Sequence, residues 1–227
     1  MVMVSQNLLD LGIDFGTTEK NGRHKFDRYD SPHWYLSSLI QYVSVSGVIG
    51  EPCAGGGNLS NLFPYINGVN KIWTNDIDLS VNADSHSDAT NPKSWEQFPG
   101  TDWIVTNPPF NVAFPILENA YRHARVGVVM FLRLSFQEPT EERGQWLFDH
   151  PRHIDLIYPR FKFRKGKDGK NWQTDSMPIV AMVWRKDTDK QFSPVSIPPT
   201  KIVGYHDNPT NAPSFDEQVR IIKAVQI

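Results

Sequence analysis

The sequence predicts an α/β protein with a doubly wound, mostly parallel sheet covered by helices on both faces. Short apolar runs alternate along the chain with segments that have helical patterns or helix-start signals. The runs are continuously apolar, which is typical of strands buried on both faces. Glycine, proline and acidic residues follow several of the runs directly. In such sheets ligands bind beyond the carboxyl ends of the strands, so one edge should carry the functional site.

The elements follow from these patterns in chain order. Strands are expected at residues 45–49, 71–74, 103–105, 126–132, 153–158 and 179–184. Helices are expected from Ser31 with Pro32 in the first turn, from Asn58 through Phe63, around Trp95, over 114–125 and from Ser214, where Ser214 and Glu217 would form a capping box. We interpret residues 1–26 as a partly flexible segment, 27–186 as the core, and 187–227 as a proline-rich connector with a short helix.

Composition limits the functional classes. A chain of 227 residues with a formal charge of −2 fits one domain and is not a generally basic nucleic-acid binder. The single cysteine, Cys53, excludes an intrachain disulfide and fits a reducing compartment. Residues 1–11 lack the features of a signal peptide, and the apolar run at 126–132 is too short to span a bilayer. We therefore expect a cytoplasmic protein without membrane contact.

A glycine-rich loop follows the first predicted strand and has the sequence Glu51-Pro-Cys-Ala-Gly-Gly-Gly57. Glycines let the backbone approach a ligand closely. The loop matches neither the Walker motif nor the dinucleotide fingerprint. Glu51 would repel a pyrophosphate but could pair with a ligand amine. The alternative is a simple turn between a strand and a helix.

Acidic residues follow the second predicted strand. Asp76 is well placed to accept hydrogen bonds from ribose hydroxyls, and Asp78 is assigned to helix capping. Asp88 could accept from a purine amino group, or it could be a solvated loop carboxylate. The residues alone do not decide whether Asp84 or Asp88 would face such a purine.

The third predicted strand ends at Asn107-Pro108-Pro109-Phe110. The prolines stiffen the corner, the Asn amide donates and accepts hydrogen bonds, and the Phe offers a flat face. A corner of this kind suits a planar base held by its exocyclic amine. The alternative is a turn that only closes the strand.

A basic stretch at residues 160–172 carries six basic residues and one acid, interleaved with aromatics. Such a composition suits phosphate neutralisation with base stacking, and the alternative is a solvated hairpin. The basic residues are Arg160, Lys162, Arg164, Lys165, Lys167 and Lys170. No metal site is predicted, because Pro151 breaks the helix that His150 and His153 would need.

Together these motifs resemble the class I S-adenosylmethionine-dependent methyltransferases of the amino-methylating branch. The Glu-Pro-x-x-Gly-x-Gly loop, the acid at Asp76 and the Asn-Pro-Pro-Phe corner occur in the family's order, and Tyr29-Asp30-Ser31-Pro32 resembles its upstream aromatic element. The resemblance covers residues 29 to about 186. It implies a Rossmann-like sheet of about seven strands, mostly parallel, with one antiparallel strand near the C-terminal end of the core.

The resemblance also implies a cofactor, S-adenosylmethionine, with S-adenosylhomocysteine as product. The residues that it assigns to cofactor binding are Tyr29, Ser31, Pro32, Glu51, Pro52, Cys53, Ala54, Gly55, Gly57, Asp76, Ile77, Asp88, Ala89 and Asn107. The chain departs from the family in three details: Phe replaces the usual Tyr at 110, Asn replaces Asp at 107, and Tyr29 lies two residues before Ser31.

The chain looks most like the small DNA adenine-N6 methyltransferases. By the family mechanism, Asn107 and Pro108 accept the amine's hydrogens and Phe110 stacks on a base flipped out of the duplex. The alternatives are RNA adenine as substrate, a protein glutamine, and a non-catalytic binding subunit. Only residues 187–227 lie beyond the predicted core, so we expect a short or relaxed site preference, or dependence on a homodimer or an accessory protein. The small size suggests a bacterial or phage origin.

Overall fold

The computed structural model describes residues 31–138, 140–165, 170–174, 177–188 and 194–226, with no side chain described at 163–165. Its centre is a seven-stranded sheet of order β2-β1-β3-β4-β8-β5-β9. These strands are β1 (Gly47–Glu51), β2 (Val69–Thr74), β3 (Thr101–Thr106), β4 (Ala124–Arg133), β5 (Ile154–Ile157), β8 (Ile179–Arg185) and β9 (Val195–Ser196). Strands β6 (Lys162–Lys165) and β7 (Trp172–Thr174) form a separate antiparallel hairpin.

Strand directions confirm the predicted fold class. Strands β2, β1, β3 and β4 are parallel neighbours, and β8 is antiparallel to both β4 and β5. Within the seven-stranded sheet as described, β8 therefore runs against the other strands. From β1 the chain goes first to β2 on one side and then to β3 on the other, so the strand order reverses at β1. Ligands of open α/β sheets bind at this kind of switch point.

Each face of the sheet packs against its own apolar layer. On one face, α1 (Trp34–Leu39) and α4 (Phe215–Ala224) enclose a core that includes Tyr35, Phe131 and Tyr158. The rings of Tyr35 and Tyr158 stack 4.8 Å apart. On the other face lies α2 (Ala113–His123), and α3 (Glu141–Asp149) adds Trp146 to the rim of that layer. Both faces are therefore covered, as a parallel sheet requires.

Several predicted helices are shorter or tighter than expected. The helix predicted after the glycine loop, from Asn58 through Phe63, is a 3₁₀ helix over Ser60–Tyr65, and Pro64 inside it removes a backbone donor. A second 3₁₀ helix spans Pro92–Gln97. Helix α1 begins at Trp34 and not directly after Ser31. Helix α4 follows the prediction, since the Ser214 hydroxyl accepts a hydrogen bond from the Glu217 N–H at 3.4 Å.

The segment after residue 194 packs into the domain. Strand β9 pairs with β5, and the side chains of Ile197, Ile202 and Ile222 are buried in the same layer as α1. In the part of the chain that the structure describes, no helix has the length and apolar character needed to cross a bilayer. The predicted domain boundaries remain a prediction.

Candidate functional site

A cleft of about 860 Å³, partly open to solvent, lies at the carboxyl ends of β1, β2 and β3. Three loops form it: residues 51–59 after β1, 76–90 after β2, and 107–112 after β3. The cleft thus brings together motifs that are far apart in the sequence. Predicted cofactor residues that line it are Ser31, Glu51, Pro52, Cys53, Ala54, Gly55, Asp76, Ile77, Asp88, Ala89 and Asn107.

Asp76 joins two of these loops. Its carboxylate accepts one hydrogen bond from the Gly55 N–H at 2.8 Å and another from the Asp78 N–H at 2.9 Å. Gly55 can present its N–H there because it adopts a positive φ of 52°. The carboxylate is therefore held in one orientation, and each of its oxygens keeps a lone pair for a further donor.

Asn75 links the loops after β1 and β2, although no role was predicted for it from the sequence. Its side chain is fully buried and donates to the carbonyls of Pro52 and Ser87, both at 3.0 Å. Its amide oxygen accepts from the Ser87 N–H and from the hydroxyls of Ser85 and Ser87, each at 2.9 Å. The one feature of the sequence that could have indicated this role is the position of Asn75 between a strand end and Asp76.

Glu51 is the most unusual charged group of the cleft. It is 2% exposed, and its Oε2 has no hydrogen-bond partner in the structure. Burial raises the pKa of this carboxyl well above its usual value, hydrogen bonds from Ser60 oppose that rise, and the charge of Asp76 adds to it. A buried acceptor without a donor, at the wall of a cleft, is a place for a cationic or amine-bearing group of a ligand.

The structure distinguishes Asp84 from Asp88, of which the sequence alone could not say which one faces a bound ligand. Asp84 accepts hydrogen bonds from the N–H and hydroxyl of Thr74, at 2.8 and 3.0 Å, and lies outside the cleft lining. Asp88 is 7% exposed and lines the cleft. Its Oδ1 accepts from the N–H and hydroxyl of Thr90 at 2.8 and 2.7 Å. Only Asp88 of this pair is therefore placed to meet a bound ligand.

The proline corner forms the third wall. Asn107, Pro108 and Pro109 line the cleft, and the Asn107 Nδ2 donates to the Ser31 hydroxyl at 2.9 Å. Ser31 is itself buried, and its carbonyl accepts from the Asn58 Nδ2 at 3.2 Å. The start of the described chain, the glycine loop and the proline corner are thereby linked. The bond also orients the Asn107 amide, since its nitrogen end faces Ser31.

Phe110 is placed differently from its neighbours in the motif. It is half-buried and does not line the cleft. Its ring packs against the apolar layer that contains α2. The guanidinium carbon of Arg133, the last residue of β4, lies 4.6 Å from the ring centroid. In the sequence, Arg133 directly follows the predicted strand at 126–132, and no role was predicted for it.

Cys53 behaves as a packing residue in the described structure. Burial raises the pKa of its thiol, with the charges of Asp76 and Glu51 adding to the effect, so the nucleophilic thiolate is disfavoured. Within the described ranges, no three His, Cys, Asp or Glu side chains are close enough to hold a metal ion.

The predicted nucleic-acid residues are only partly described. Arg160 and Lys170 are exposed, and the Lys162 Nζ donates to the Asp207 carboxylate at 2.8 Å, which raises the pKa of Lys162. Arg164 and Lys165 belong to β6 of the hairpin, the form that the alternative interpretation expected. Tyr29, Lys167 and the side chains of Arg164 and Lys165 lie outside the described residues.

Among the comparisons with known proteins, the one with solved structures supports the fold. No protein-family model and no curated protein sequence matches the chain. Two similar solved structures are a type I restriction-modification methyltransferase subunit from Streptococcus thermophilus and a modification subunit of a putative type I restriction enzyme from Vibrio vulnificus. The first has 10% identity and a TM-score of 0.57 over 88% of this chain and 54% of its own. The second has 12% identity and a TM-score of 0.54 over 85% of this chain and 52% of its own.

A predicted O-methyltransferase from Agrobacterium tumefaciens is also similar, with 10% identity and a TM-score of 0.52 over 85% of this chain and 97% of its own. The chain spans about half the length of the two restriction-modification subunits and nearly all of this third protein. At these identities the likeness establishes only that the chain shares the α/β fold of these proteins. It does not select among acceptors, because the neighbours differ in the substrates that their names imply.

Proposed function

We propose that this protein transfers a methyl group from S-adenosylmethionine to the exocyclic amine of adenine in DNA. The observation that carries the proposal is the convergence of Glu51, Asp76, Asp88 and the Asn107-Pro108-Pro109 corner on one cleft at the switch point of the sheet. A cofactor held by the three acids would then lie next to a base held at the corner, as direct transfer between two bound molecules requires.

The residues present fit the cofactor. The unpartnered Oε2 of Glu51 would accept from the ammonium of its methionine part. The Asp76 carboxylate, already held by two backbone N–H groups, would accept from the ribose hydroxyls. Asp88 would accept from the adenine amino group, and Ile77 and Ala89 would pack against the ring. The cofactor supplies an activated sulfonium methyl, so no covalent nucleophile of the protein is needed.

The difficult partner in the reaction is the acceptor. The lone pair of an adenine amine is delocalised into the ring, which makes the nitrogen a poor nucleophile. The Asn107 side-chain oxygen and the Pro108 carbonyl would accept the two amine hydrogens and aim the lone pair at the methyl group. Pro108 is buried and Pro109 fixes the corner, so these dipoles are preorganised before the substrate arrives. Phe110 would stack on the everted base.

The choice of DNA rests on two supports. The resemblance of the Asn-Pro-Pro-Phe corner in this order of motifs is to small DNA adenine methyltransferases. Two of the neighbours, similar to the chain over about half of their own length, are named as restriction-modification methyltransferase or modification subunits. Such neighbours also favour association with other subunits as part of the proposal.

Methyl transfer to a mixed substrate pool tests the proposal. The protein is incubated with labelled S-adenosylmethionine, unmethylated genomic DNA, structured RNA and a protein extract, and the label is then located. We expect N6-methyladenine in DNA, reduced about 100-fold or more in Asn107→Ala. Asn70→Ala is the matched control, since Asn70 is an exposed amide on β2 far from the corner. Label only in RNA or protein, or no label with cofactor-competent protein, would refute the proposal.

A further inference from the structure

The ring of Phe110 already has another group over one of its faces. The proposed function requires a flat aromatic surface beside Asn107, yet the ring packs partly against the α2 layer and also carries the Arg133 guanidinium at 4.6 Å. In keeping with this, Asn107, Pro108 and Pro109 line the cleft and Phe110 does not.

Arg133 comes to this place because of the sheet. It is the last residue of β4, after an apolar run that is buried to its end, and it is itself half-buried. Strands β3 and β4 are parallel neighbours, with Thr106 opposite Met130. Their carboxyl ends therefore lie side by side, so Arg133 at the end of β4 meets Phe110, which lies four residues beyond the end of β3.

A guanidinium and a nucleobase make comparable contacts with an aromatic ring. Both are planar and delocalised, and both stack on a phenyl face. A guanidinium differs in one respect, because it also binds phosphate with two parallel hydrogen bonds. When a nucleotide is everted from a strand, its base and its phosphate arrive together. The group that leaves the ring thus finds a new partner in the same substrate.

We propose that Arg133 is a placeholder in the acceptor site: it covers Phe110 until the substrate arrives, then moves to a backbone phosphate next to the everted base. This inference rests on the proposed function and adds a substrate-positioning residue to it. It also gives the site a preference for polymer over free nucleoside, because a nucleoside lacking phosphate cannot compensate for the contact that it displaces.

The test compares three variants in DNA methylation at several salt concentrations, using labelled S-adenosylmethionine and unmethylated heterogeneous DNA. Arg133→Ala should raise KM for DNA about five- to tenfold with kcat near the wild-type value. It should also reduce the slope of log kcat/KM against log salt by about one unit, the signature of one lost phosphate contact. Arg133→Lys keeps a charge that can reach phosphate and should restore most of the slope.

Arg185→Ala is the matched control. Arg185 is also half-buried, and its guanidinium carbon lies 5.6 Å from the Trp103 ring centroid. It pairs with Gly127 on β4, six residues before Arg133, so it lies about 20 Å away at the opposite edge of the sheet. We expect its KM and salt slope to stay at the wild-type values.

Two results overturn the inference. One is a fall in kcat for Arg133→Ala with KM and the salt slope unchanged. The other is an Arg133→Ala variant whose kcat, KM and salt slope all equal those of the wild type. Thermal melting and calorimetric binding of S-adenosylmethionine verify that each variant is folded, and Arg133→Gln replaces the alanine variant if that one is not. If the wild type binds cofactor but methylates no DNA, the proposed function fails and this inference with it. If the wild type methylates DNA, the Arg133 variants decide this inference independently of the proposed function.

Discussion

Glu51 shows how a single side chain can be unfavourable for folding and useful for binding. In the folded protein the carboxyl is buried with an unpartnered oxygen, and its pKa is raised by burial. Because the folded pKa exceeds the unfolded one, ionisation opposes folding as the pH rises. A cationic group at Oε2 would reverse this, since it favours the charged carboxylate.

Substitution of Glu51 is therefore expected to separate stability from binding. Glu51→Gln should unfold at the same or a higher temperature than the wild type at pH 8, because no buried group is left to ionise. It should bind S-adenosylmethionine about tenfold more weakly, because a charge-assisted hydrogen bond is lost. The wild-type affinity should rise with pH as the carboxyl of Glu51 ionises, whereas the variant should lack that rise.

Calorimetric titrations between pH 5 and 8, with thermal melts in the same buffers, measure both quantities. Glu96→Gln, at an exposed position, is the control and should change neither. Equal affinities of Glu51→Gln and the wild type at every pH would contradict the assigned role.

Because His33 is buried, its protonation is expected to lower the stability of the fold in acid. It is 3% exposed, neither ring nitrogen has a hydrogen-bond partner, and its ring stacks on His206 at 5.3 Å. Burial and the charge of His206 lower the pKa of His33 to about 4 from the ordinary 6.5. The pKa of His33 is lower in the folded than in the unfolded protein. Its titration therefore costs no stability above pH 6.5, and it lowers the free energy of unfolding as the pH drops toward 4.

This residue alone should account for a loss of roughly 3 kcal/mol in the free energy of unfolding by pH 4. Urea unfolding at pH 7, 5.5 and 4.5 measures the loss. His33→Leu, with a side chain that cannot be protonated, should show a flatter profile over this range. A wild-type stability that does not change between pH 7 and 4.5 would disprove the assignment.

At the scale of the elements, strands β1 and β2 fit together because Gly50 has no side chain. A Cβ on Gly50 would lie 2.2 Å from Cζ2 of the Trp73 ring, which also donates from Nε1 to the Thr101 hydroxyl at 2.8 Å. Gly50→Ala should therefore lower the free energy of unfolding by about 1–3 kcal/mol through overpacking.

Gly100→Ala is the control for this change, because its Cβ would meet only a guanidinium nitrogen of Arg125 at 4.0 Å. Urea unfolding of both variants gives the comparison. Equal stabilities of the two variants would show that the ring of Trp73 moves aside at little cost.

The loops after β1 and β2 form a unit through Asn75. Its buried amide has five partners across the two loops, so Asn75→Ala would leave several polar groups unpaired. We expect a loss of about 2–4 kcal/mol in unfolding free energy together with weaker S-adenosylmethionine binding. Asn70→Ala, exposed on β2, should affect neither urea unfolding nor calorimetric titration. Normal cofactor affinity in a destabilised Asn75→Ala would show that the loops are positioned without it.

The sequence predicted the loops of the cleft because their residues act on the backbone at their own positions. The glycines at 55 and 57, Asp76 and the two prolines mark strand ends in any context, and the structure gathers their loops at one cleft. Asn75 and Arg133 were missed because their roles depend on partners 10 or more residues away. The helix predicted from Asn58 through Phe63 is present but begins two residues later, at Ser60, and is of the 3₁₀ type, with Pro64 near its end. Strand β9 has two residues, too few for any pattern to appear.

For the whole molecule, the packing of the C-terminal residues bears on the range of DNA sites that the proposed activity would methylate. The described C-terminal residues contribute β9 and α4 to the layer around α1. This segment is thus engaged in packing, so we expect the chain alone to methylate short or loosely defined DNA sites. Single-molecule sequencing of treated, initially unmethylated DNA measures the sites, with Asn107→Ala as the blank. A long and strict site for the chain alone would contradict this expectation.

The two backbone hydrogen bonds to Asp76 have a consequence for the kinetics of cofactor capture. Both donors belong to the protein's own backbone, so the fold itself sets the orientation of the carboxylate, and we expect no reorientation when a ribose binds. Association of the cofactor should then follow a single exponential, with a rate proportional to its concentration and without a plateau from a slow loop rearrangement. Under the proposed function, S-adenosylmethionine would bind to a preformed surface, and a slow step in turnover would then be sought in the binding of the acceptor.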